Sequence, residues 1–441
     1  MKYPSRRTAI YALTQFDITQ KQLKKIRHDT YNKLKPKPES WDRTTVLVND
    51  VIRLRGRLDH ILEYVSGKKI NQFQPNLRSI LRIGCYELLF DDYIPDFATV
   101  HSSVDLTKEL INKKAASLTN AVLRKILRQC ESDPHWLDKL STKPQWLSFP
   151  AWLIKKWKKI FGERDTIKLC QTFNHPVPMF LRVNQARMNL STAMENLAED
   201  SIVVEQFESI PSFLKVIKGK KKVLMTPLFT SGVISIQDPA SAAIIYLLEP
   251  KTGDTVLDVC AAPGTKSLMI AEMVESDGNV LSSDKDDIRV EMGILDIKRH
   301  QMQNIHWSVL DALKDNFPPS KKILVDAPCT GTGVIGRRPD IKWRRQLGDV
   351  IAMADLQLSI LNHVSRYLLS GGTIVYATCS LEPEENWEVV ERFLNSNRKF
   401  KLIPPNSNIP KRWVNKNGCL MTFPAYHDTD GMFAAKLFKT L

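Results

Sequence analysis

Apolar residues along this 441-residue chain follow three successive patterns, and the first of them is helical. Up to about residue 140 they recur every three or four positions, most regularly in residues 46–62 and 121–127, as in helices that bury one face. Gly56 and Gly84 lie inside two such stretches and leave their limits uncertain. The pattern predicts an all-α bundle, and we take residues 1–140 as its domain.

The second pattern, over residues 141–238, mixes short strands with helices. Residues 134–160 are rich in Trp, Pro and Lys, and they predict a connector with a short basic helix at Ala151–Phe161. We interpret the tryptophans as packing at a domain junction, with stacking on RNA bases as the alternative. A small α/β subdomain is predicted from a strand at Phe180–Val183, a helix at Ser191–Glu199 and a strand at Leu214–Ile217.

The third pattern is a regular alternation of strands and helices over residues 239–441. Such alternation predicts a mainly parallel, doubly wound sheet with helices on both faces. Two strands close to the end of the chain are predicted to form an antiparallel edge. The predicted strands are Val256–Val259, Asn279–Ser283, Ile305–Leu310, Lys322–Val325, Thr373–Ala377, Gly418–Phe423 and Met432–Phe438, and the predicted helices are Lys266–Val274, Asp286–His300, Asp349–Leu369 and Glu384–Asn395.

Charge is distributed unevenly along the chain, which has a net charge of +15. Residues 1–245 contain 39 Lys and Arg against 24 Asp and Glu, whereas residues 246–441 contain 24 of each. A basic module joined to a neutral one suits a polyanionic substrate such as nucleic acid, bound mainly through phosphates. A phosphate-binding surface is predicted, with a solvated helix face as the alternative, at Arg53, Arg55, Arg57, Lys68 and Lys69.

Composition excludes several classes of protein. The seven cysteines form no Cys-x-x-Cys pair, so neither a zinc site nor a disulfide framework is predicted, and we expect no bound metal. No apolar stretch approaches the roughly 18 residues that span a membrane. The apolar segment Ile10–Leu13 is too short for the core of a signal peptide. We therefore expect a cytoplasmic protein that does not bind membranes.

A loop with a single glycine follows the first strand of the α/β region, Asp258-Val-Cys-Ala-Ala-Pro-Gly-Thr-Lys266. The small residues allow close approach of a ligand, but the cradle that dinucleotides or ATP need is missing. An adenosine-type cofactor fits better, with carboxylates at later strand ends as partners for ribose and adenine. The candidate cofactor-binding residues are Cys260, Ala261, Ala262, Pro263, Gly264, Thr265, Lys266, Asp284, Asp311 and Asp326.

Two cysteines each end a predicted strand, in Asp326-Ala-Pro-Cys329 and Ala377-Thr-Cys-Ser380. A thiolate in such a position can attack an electron-poor carbon such as C6 of a pyrimidine, which makes C5 nucleophilic enough to accept a methyl group. A base must then remove the C5 proton, and the second thiol is a candidate for that step. Asp326 is placed to hold a ring nitrogen. Cys329 and Cys379 are therefore the candidate catalytic residues.

These motifs closely resemble those of the RNA cytosine-C5 methyltransferases that use S-adenosylmethionine, over roughly residues 178–441. The helical part resembles a NusB-type RNA-binding domain, a pairing found in bacterial enzymes that act on 16S rRNA. The resemblance implies a Rossmann-like methyltransferase domain, with Cys379 as nucleophile and Cys329 assisting product release. It also implies S-adenosylmethionine in the 260–266 loop and 16S rRNA as the partner. The further matching segments are Leu181–Asn184, Gln237–Ser241, Pro339–Trp343, Glu382–Asn386 and Asp430–Lys436.

The chain departs from the family pattern at two places. Thr265 stands where a second glycine is usual, and we expect its β-carbon to weaken cofactor affinity slightly. Gly336-Arg-Arg338 replaces Arg-Arg-His. Neither change removes a catalytic group, so the predicted chemistry is kept.

Three alternatives fit less well, because Cys379 favours an RNA enzyme over a DNA enzyme, both cysteines and the cofactor loop are intact, and Asp326-Ala-Pro-Cys329 argues against an amine methyltransferase. In the related DNA enzymes the Pro-Cys thiol is the nucleophile, which here would be Cys329. The chain could also be an assembly factor with a vestigial catalytic domain, or a methyltransferase that acts on an exocyclic amine. We expect a monomer.

Overall fold

The computed structural model describes residues 2–440 and divides into two compact units. Within these residues, one unit comprises residues 2–176 and 335–345, and the other comprises residues 177–334 and 346–440. The chain therefore passes between the units three times. Within residues 2–440, no helix is both long and apolar enough to cross a membrane.

The first unit is built from helices, as the periodicity predicts. Gly56 and Gly84 are sites of close packing, because an added β-carbon would lie 3.0 Å from Ser148 Cα and 2.9 Å from the Leu123 side chain, respectively. The basic helix at Ala151 continues beyond its predicted end and is interrupted at Gly162, where φ is +80°. The helices are α1 Pro4–Thr19, α2 Leu23–Leu34, α3 Pro38–Arg53, α4 Arg55–Ser66, α5 Pro75–Leu89, α6 Asp96–Leu110, α7 Lys113–Ser132, α8 Trp136–Ser141 and α9 Ala151–Phe173.

The arginines of the predicted phosphate-binding surface bond within this unit. Arg55 forms an ion pair with Asp17, at 3.4 Å. The guanidinium of Arg57 lies 4.5 Å from the centre of the Trp146 ring. Arg53 is buried and donates to a backbone carbonyl at 3.0 Å. Arg53 is buried, Arg55 and Arg57 are half-buried, and Lys68 and Lys69 are exposed. A phosphate-binding role for this set stays a prediction, with a solvated helix face as the alternative.

Residues 177–236 form a four-stranded antiparallel sheet in the order β2-β3-β1-β4. Asn189 begins the helix by accepting a hydrogen bond from Thr192 N. The sequence predicts the two central strands and the helix but misses both edge strands. The elements are β1 Met179–Val183, α10 Leu190–Glu199, β2 Val203–Gln206, β3 Phe213–Lys218, α11 Pro227–Thr230 and β4 Ile234–Ile236.

The second sheet has eight strands in the order β10-β12-β9-β8-β5-β6-β7, with β11 paired to β12. The strands from β9 to β7 in this order are parallel, and β12 is antiparallel to both of its neighbours in the path. The elements are α12 Pro239–Leu248, β5 Thr255–Val259, α13 Thr265–Val274, β6 Asn279–Asp284, α14 Asp287–His300, β7 Ile305–Val309, β8 Ser320–Asp326, α15 Ile341–Arg344, α16 Leu347–Val364, β9 Leu368–Thr378, α17 Trp387–Ser396, β10 Phe400–Ile403, β11 Leu420–Met421, α18 Pro424–His427 and β12 Phe433–Lys439.

The doubly wound prediction is confirmed, with two corrections at the carboxyl-terminal end. The antiparallel pair β11 and β12 exists, but β12 lies inside the sheet, because β10 covers its outer side. The helix predicted to reach Leu369 ends at Val364, and β9 begins before the Gly371-Gly372 pair rather than after it. Branched and aromatic side chains along β5, β8 and β9 form the buried core of this sheet.

Residues 335–345, which we call the return segment, belong to the helical unit although the chain around them belongs to the other. Lys342 is 1% exposed, and its Nζ donates to the Arg53 carbonyl at 2.7 Å. Burial lowers the pKa of Lys342 well below its ordinary value. Trp343 Nε1 donates to the Ile52 carbonyl at 2.8 Å. The return segment is therefore part of the core of the helical bundle.

Candidate functional site

The order of the strands places two predicted loops next to each other. After β5 the chain builds β6 and β7 on one side, and it then returns to build β8 and β9 on the other. Ligands of open α/β sheets bind outside the carboxyl ends of the strands at such a reversal. The loops that follow β5 and β8 begin at Cys260 and Ala327 and meet at this point. They contain most of the residues predicted from the sequence.

The β5 loop is held in a conformation that needs glycine at one position. Gly264 has a φ of +104°, and an added β-carbon would lie 2.7 Å from Trp307 Cζ2. Ala262 N donates to Asp284 Oδ2 at 3.2 Å, so the end of β6 fixes the middle of the loop. Arg289 forms an ion pair with the same Asp284 oxygen at 3.2 Å and donates to the Ala262 carbonyl. Thr265 is the first residue of α13, and its effect on cofactor affinity stays a prediction.

Asp258 is a buried carboxylate directly before this loop in the sequence. Its side chain is 0% exposed, and Oδ2 accepts a hydrogen bond from Ser267 Oγ at 2.6 Å. Among residues 2–440, no hydrogen-bond donor reaches Asp258 Oδ1. Burial raises the pKa of Asp258 to about 7, and the charge of Asp326 acts in the same direction. The site therefore contains an unsatisfied carboxylate oxygen.

Lys266 and Asp326 connect the two neighbouring loops. Lys266 Nζ lies 2.7 Å from Asp326 Oδ2. Burial acts to lower the pKa of Lys266, but attraction to Asp326 and their hydrogen bond outweigh it, so the pKa is raised. The negative charge of an ionised Cys379 also raises the pKa of Lys266. Lys266 is thus held as an ammonium beside the Asp326 carboxylate.

The two cysteines lie side by side, as the motifs predict. Cys329 follows β8 and Cys379 follows β9, and these strands are paired in parallel. Their Sγ atoms are 3.2 Å apart. Its hydrogen bond with Cys379 and then burial raise the pKa of Cys329 well above its ordinary value. Both thiols are partly exposed, whereas Cys85, Cys170 and Cys419 are buried.

Asp311 is the one predicted site residue that the structure leaves outside this cluster. It follows β7, and its Oδ1 accepts from Leu313 N at 3.0 Å, while its own N donates to Asp315 Oδ2 at 2.7 Å. In the part of the chain that the structure describes, its hydrogen bonds connect it to its own turn and to no other predicted site residue. A role in cofactor binding stays a prediction for Asp311.

Glu385 is a buried residue at the thiol pair that reasoning from the sequence missed. It ends a short 3₁₀ turn at Pro383–Glu385 and is 0% exposed. It accepts hydrogen bonds from Thr330 N at 2.8 Å and from Ser380 Oγ at 2.7 Å. Glu385 lies within a segment that marks the family resemblance, but local sequence gives no indication that it reaches both cysteine loops.

Three family models match successive parts of the chain. They are the NusB family over residues 3–128, the ferredoxin-like domain of RsmF/B-like methyltransferases over residues 149–221, and 16S rRNA methyltransferase RsmB/F over residues 245–438. The helical part, the small α/β connector and the doubly wound domain each have a counterpart. Fold and matches together define the class: an rRNA methyltransferase with an amino-terminal NusB domain.

Whole-chain relatives agree with these models. The chain is 34% identical to the probable ribosomal RNA small subunit methyltransferase B of Bacillus subtilis, covering 90% of each chain. It is 32% identical to ribosomal RNA small subunit methyltransferase B of Pasteurella multocida, covering 89% of this chain and 86% of that one. The crystal structure of PH0851 matches with a TM-score of 0.80 and 28% identity, over 100% of this chain and 99% of that one. The chain belongs to the RsmB/F family of 16S rRNA methyltransferases.

Proposed function

We propose that the protein transfers a methyl group from S-adenosylmethionine to C5 of a cytosine in 16S rRNA. The paired thiols of Cys329 and Cys379, 3.2 Å apart, are the observation that carries this proposal. C5 and C6 of a pyrimidine are bonded neighbours, so a nucleophile for one and a base for the other must lie close together. Methylation of an exocyclic amine needs no thiol and leaves this pair unexplained.

The residues of the β5 loop fit S-adenosylmethionine chemically. The cofactor has a positively charged sulfonium, and the site presents the carboxylates of Asp258, Asp284 and Asp326 against the ammonium of Lys266. Asp258 Oδ1, buried and unsatisfied within the described residues, is an acceptor that a bound ligand would supply with a donor. We propose that residues 260–266, with Asp284, Asp311 and Asp326, hold the cofactor. When bound, it supplies an electrophilic methyl group.

The two thiols act in sequence on the base. The Cys379 thiolate adds to C6, and the displaced electron pair makes C5 nucleophilic towards methyl. Once bonded to carbon, Cys379 carries no charge and no longer accepts the hydrogen bond that most raises the pKa of Cys329, so Cys329 can release its proton to solvent water. Its thiolate accepts the C5 proton, the C5–H electron pair restores the C5–C6 double bond, and the Cys379 thiolate leaves.

RNA binding is assigned to the basic part of the chain. The excess of Lys and Arg lies entirely within residues 1–245, and phosphate contacts of this kind hold RNA without reading its sequence. The target cytosine is then flipped to Cys379, at a cost of a few kcal/mol that is lowest in a loop. The proposed division is an RNA-binding domain at 1–140, a connector at 141–238 and a catalytic domain at 239–441 that the return segment at 335–345 interrupts. We propose that the protein acts as a monomer in the cytoplasm.

A denaturing gel tests the order of the two thiols. Wild-type protein, Cys329→Ala and Cys379→Ala are incubated with small-subunit rRNA and methyl-labelled S-adenosylmethionine. Cys329→Ala is expected to accumulate a labelled protein–RNA adduct, because methyl transfer proceeds but the C5 proton stays. Cys379→Ala is expected to give neither adduct nor methylation, since it lacks the nucleophile. Bisulfite treatment of wild-type product distinguishes C5 from amine methylation.

The same gel also separates the competing functions. An adduct that needs Cys329 instead of Cys379 would exchange the two roles and match the DNA enzymes. Wild-type protein that binds rRNA without labelling it would favour an assembly factor.

A further inference from the structure

Glu385 connects the two cysteine loops through one carboxylate. Oε2 accepts from Thr330 N at 2.8 Å and from Gln357 Nε2 at 2.9 Å, and Oε1 accepts from Ser380 Oγ at 2.7 Å and from Thr330 Oγ1. Thr330 directly follows Cys329, and Ser380 directly follows Cys379. A shift of this carboxylate would therefore move both thiols.

These bonds suit a charged carboxylate. Two carboxylate oxygens offer about four acceptor sites, and four donors occupy them here. A carboxamide would keep an oxygen for Thr330 N and Gln357 Nε2 but would place N–H groups against the Ser380 and Thr330 hydroxyls, which would have to turn from donors to acceptors. Burial raises the pKa of Glu385, while the hydrogen bonds from Thr330, Ser380 and Gln357 oppose that rise.

Gln357 extends the same support to the other side of Cys329. Its Nε2 also donates to the carbonyl of Pro328 at 2.9 Å, the residue that precedes Cys329. Tyr376 OH donates to the Glu385 carbonyl at 2.6 Å and lies 3.1 Å from Gln357 Oε1. Cys329 is thus fixed through both of its chain neighbours, whereas Cys379 is fixed through Ser380.

We propose that Glu385 is a positioning residue that holds Cys329 against Cys379 for removal of the C5 proton. This inference rests on the two-thiol reaction proposed above. The negative charge of Glu385 raises the pKa of Cys329, after the larger effects of Cys379 and burial. The effect of the Glu385 charge persists when Cys379 is bonded to the base. By raising the pKa of Cys329, this charge makes the Cys329 thiolate a stronger proton acceptor. The two thiols therefore differ in their charged neighbours: Lys266 acts on Cys379 and Glu385 acts on Cys329.

Glu385→Gln in the full-length protein tests the proposal. We expect turnover to fall by about 10²-fold, as for a misplaced catalytic group. Affinity for rRNA and for S-adenosylmethionine is expected to be unchanged. The variant should also accumulate the methyl-labelled adduct on a denaturing gel, as Cys329→Ala does, because the nucleophile still acts while proton removal is slowed. A merely disordered site would form no adduct.

Matched variants complete the experiment. Glu388→Gln makes the same substitution at an exposed position in the next helical turn and should behave as wild type. Glu385→Asp keeps the charge and should recover part of the turnover. Ser380→Ala and Thr330→Val each remove one hydroxyl donor to the carboxylate, so they test the same contact with less disturbance and should accumulate the adduct to a smaller extent.

Two results would overturn the proposal. One is wild-type turnover in Glu385→Gln. The other is a folded Glu385→Gln, judged by thermal melting and cofactor affinity, that forms no adduct. If Glu385→Gln does not fold, Ser380→Ala and Thr330→Val are used in its place. Wild-type turnover in both of these variants, with no adduct, would reject the proposed role of Glu385. Absence of adduct in Cys329→Ala on the same gel would instead reject the two-thiol reaction itself.

Discussion

Asp258 is the carboxylate whose protonation couples the site to the stability of the fold. Its pKa is about 7 in the folded protein, against an ordinary value of 3.8, chiefly because it is buried. Between these values the folded protein binds more protons than the unfolded chain. Stability is therefore lost as pH rises from about 4 to 7, and above that range the loss is complete and constant.

Asp258→Asn should remove this pH dependence, since asparagine stays neutral and still accepts the hydrogen bond from Ser267. We expect the melting temperature of the variant, relative to wild type, to increase as pH is raised from 5 to 8. Thermal unfolding across that range is the measurement. Asp277→Asn, at an exposed position, serves as the control and should parallel wild type. Parallel profiles for Asp258→Asn as well would contradict the prediction.

Single residues were predictable where a motif carries its own chemistry. Cys329, Cys379 and the loop around Gly264 were identified from strand ends and small residues, and the structure places the two thiols in contact. The position of Glu385 and the ion pair of Arg55 with Asp17 were not predicted, because both depend on residues far away in the chain. No local pattern shows that Thr330 donates to Glu385 or that Asp17 pairs with Arg55.

At the scale of elements, the loop after β8 is held by a close approach of two glycines. Gly333 N donates to the Cys379 carbonyl at 3.0 Å, and Gly431 N donates to the Gly333 carbonyl at 2.9 Å. A β-carbon on Gly333 would lie 2.0 Å from the Gly431 carbonyl oxygen. The nearest atoms to this β-carbon are all backbone atoms of Gly431, so no flexible side chain could move aside to make room for it.

Gly333→Ala should therefore displace the loop that carries Cys329. We expect a destabilisation of about 1–3 kcal/mol from overpacking, together with a loss of turnover larger than any change in RNA affinity. Gly348→Ala is the matched control, because an added β-carbon in this helical position meets no atom within 4 Å among the described residues. It should be neutral or stabilising by about 0.5–1 kcal/mol. Equal effects of the two substitutions on denaturant unfolding would count against this interpretation.

Elements were predicted well where they are long and flanked by Gly or Pro, as in the central strands of the large sheet. The strands that were missed, β2, β4 and β10, have only four, three and four residues and lie at sheet edges. Their side chains do not alternate between a buried and an exposed face, so periodicity cannot reveal them. The doubly wound order itself follows from the alternation, because parallel strands require crossover helices.

At the scale of the whole molecule, part of the excess positive charge is carried by exposed lysines of the helical unit. Five exposed lysines lie on α2 and on the connection to α3. Lys33 lies 3.1 Å from Tyr11 OH. We predict that they contact phosphates in addition to the arginines, and they are Lys24, Lys25, Lys33, Lys35 and Lys37.

Replacing four of these lysines, Lys24, Lys25, Lys35 and Lys37, by glutamine should weaken rRNA binding and its salt dependence. Each lost phosphate contact should lower the slope of log affinity against log salt by about 0.7–0.9. Turnover at saturating rRNA should stay unchanged, since the catalytic unit is untouched. Replacement of Lys108, Lys113, Lys114 and Lys143, exposed elsewhere on the same unit, is the control. An unchanged slope in the first variant would exclude this surface from binding.

The return segment has a consequence for the synthesis of the protein on the ribosome. Residues 1–176 emerge first, yet Lys342 and Trp343, which complete their core, are translated only after residues 177–334. At ordinary rates of synthesis this delay lasts roughly 8–32 s. During that interval the nascent helical bundle lacks the return segment. The carbonyls of Ile52 and Arg53 do not yet have Trp343 and Lys342 as hydrogen-bond donors. Premature termination anywhere before residue 342 would release a bundle with an incomplete core, a natural target for chaperones and proteases.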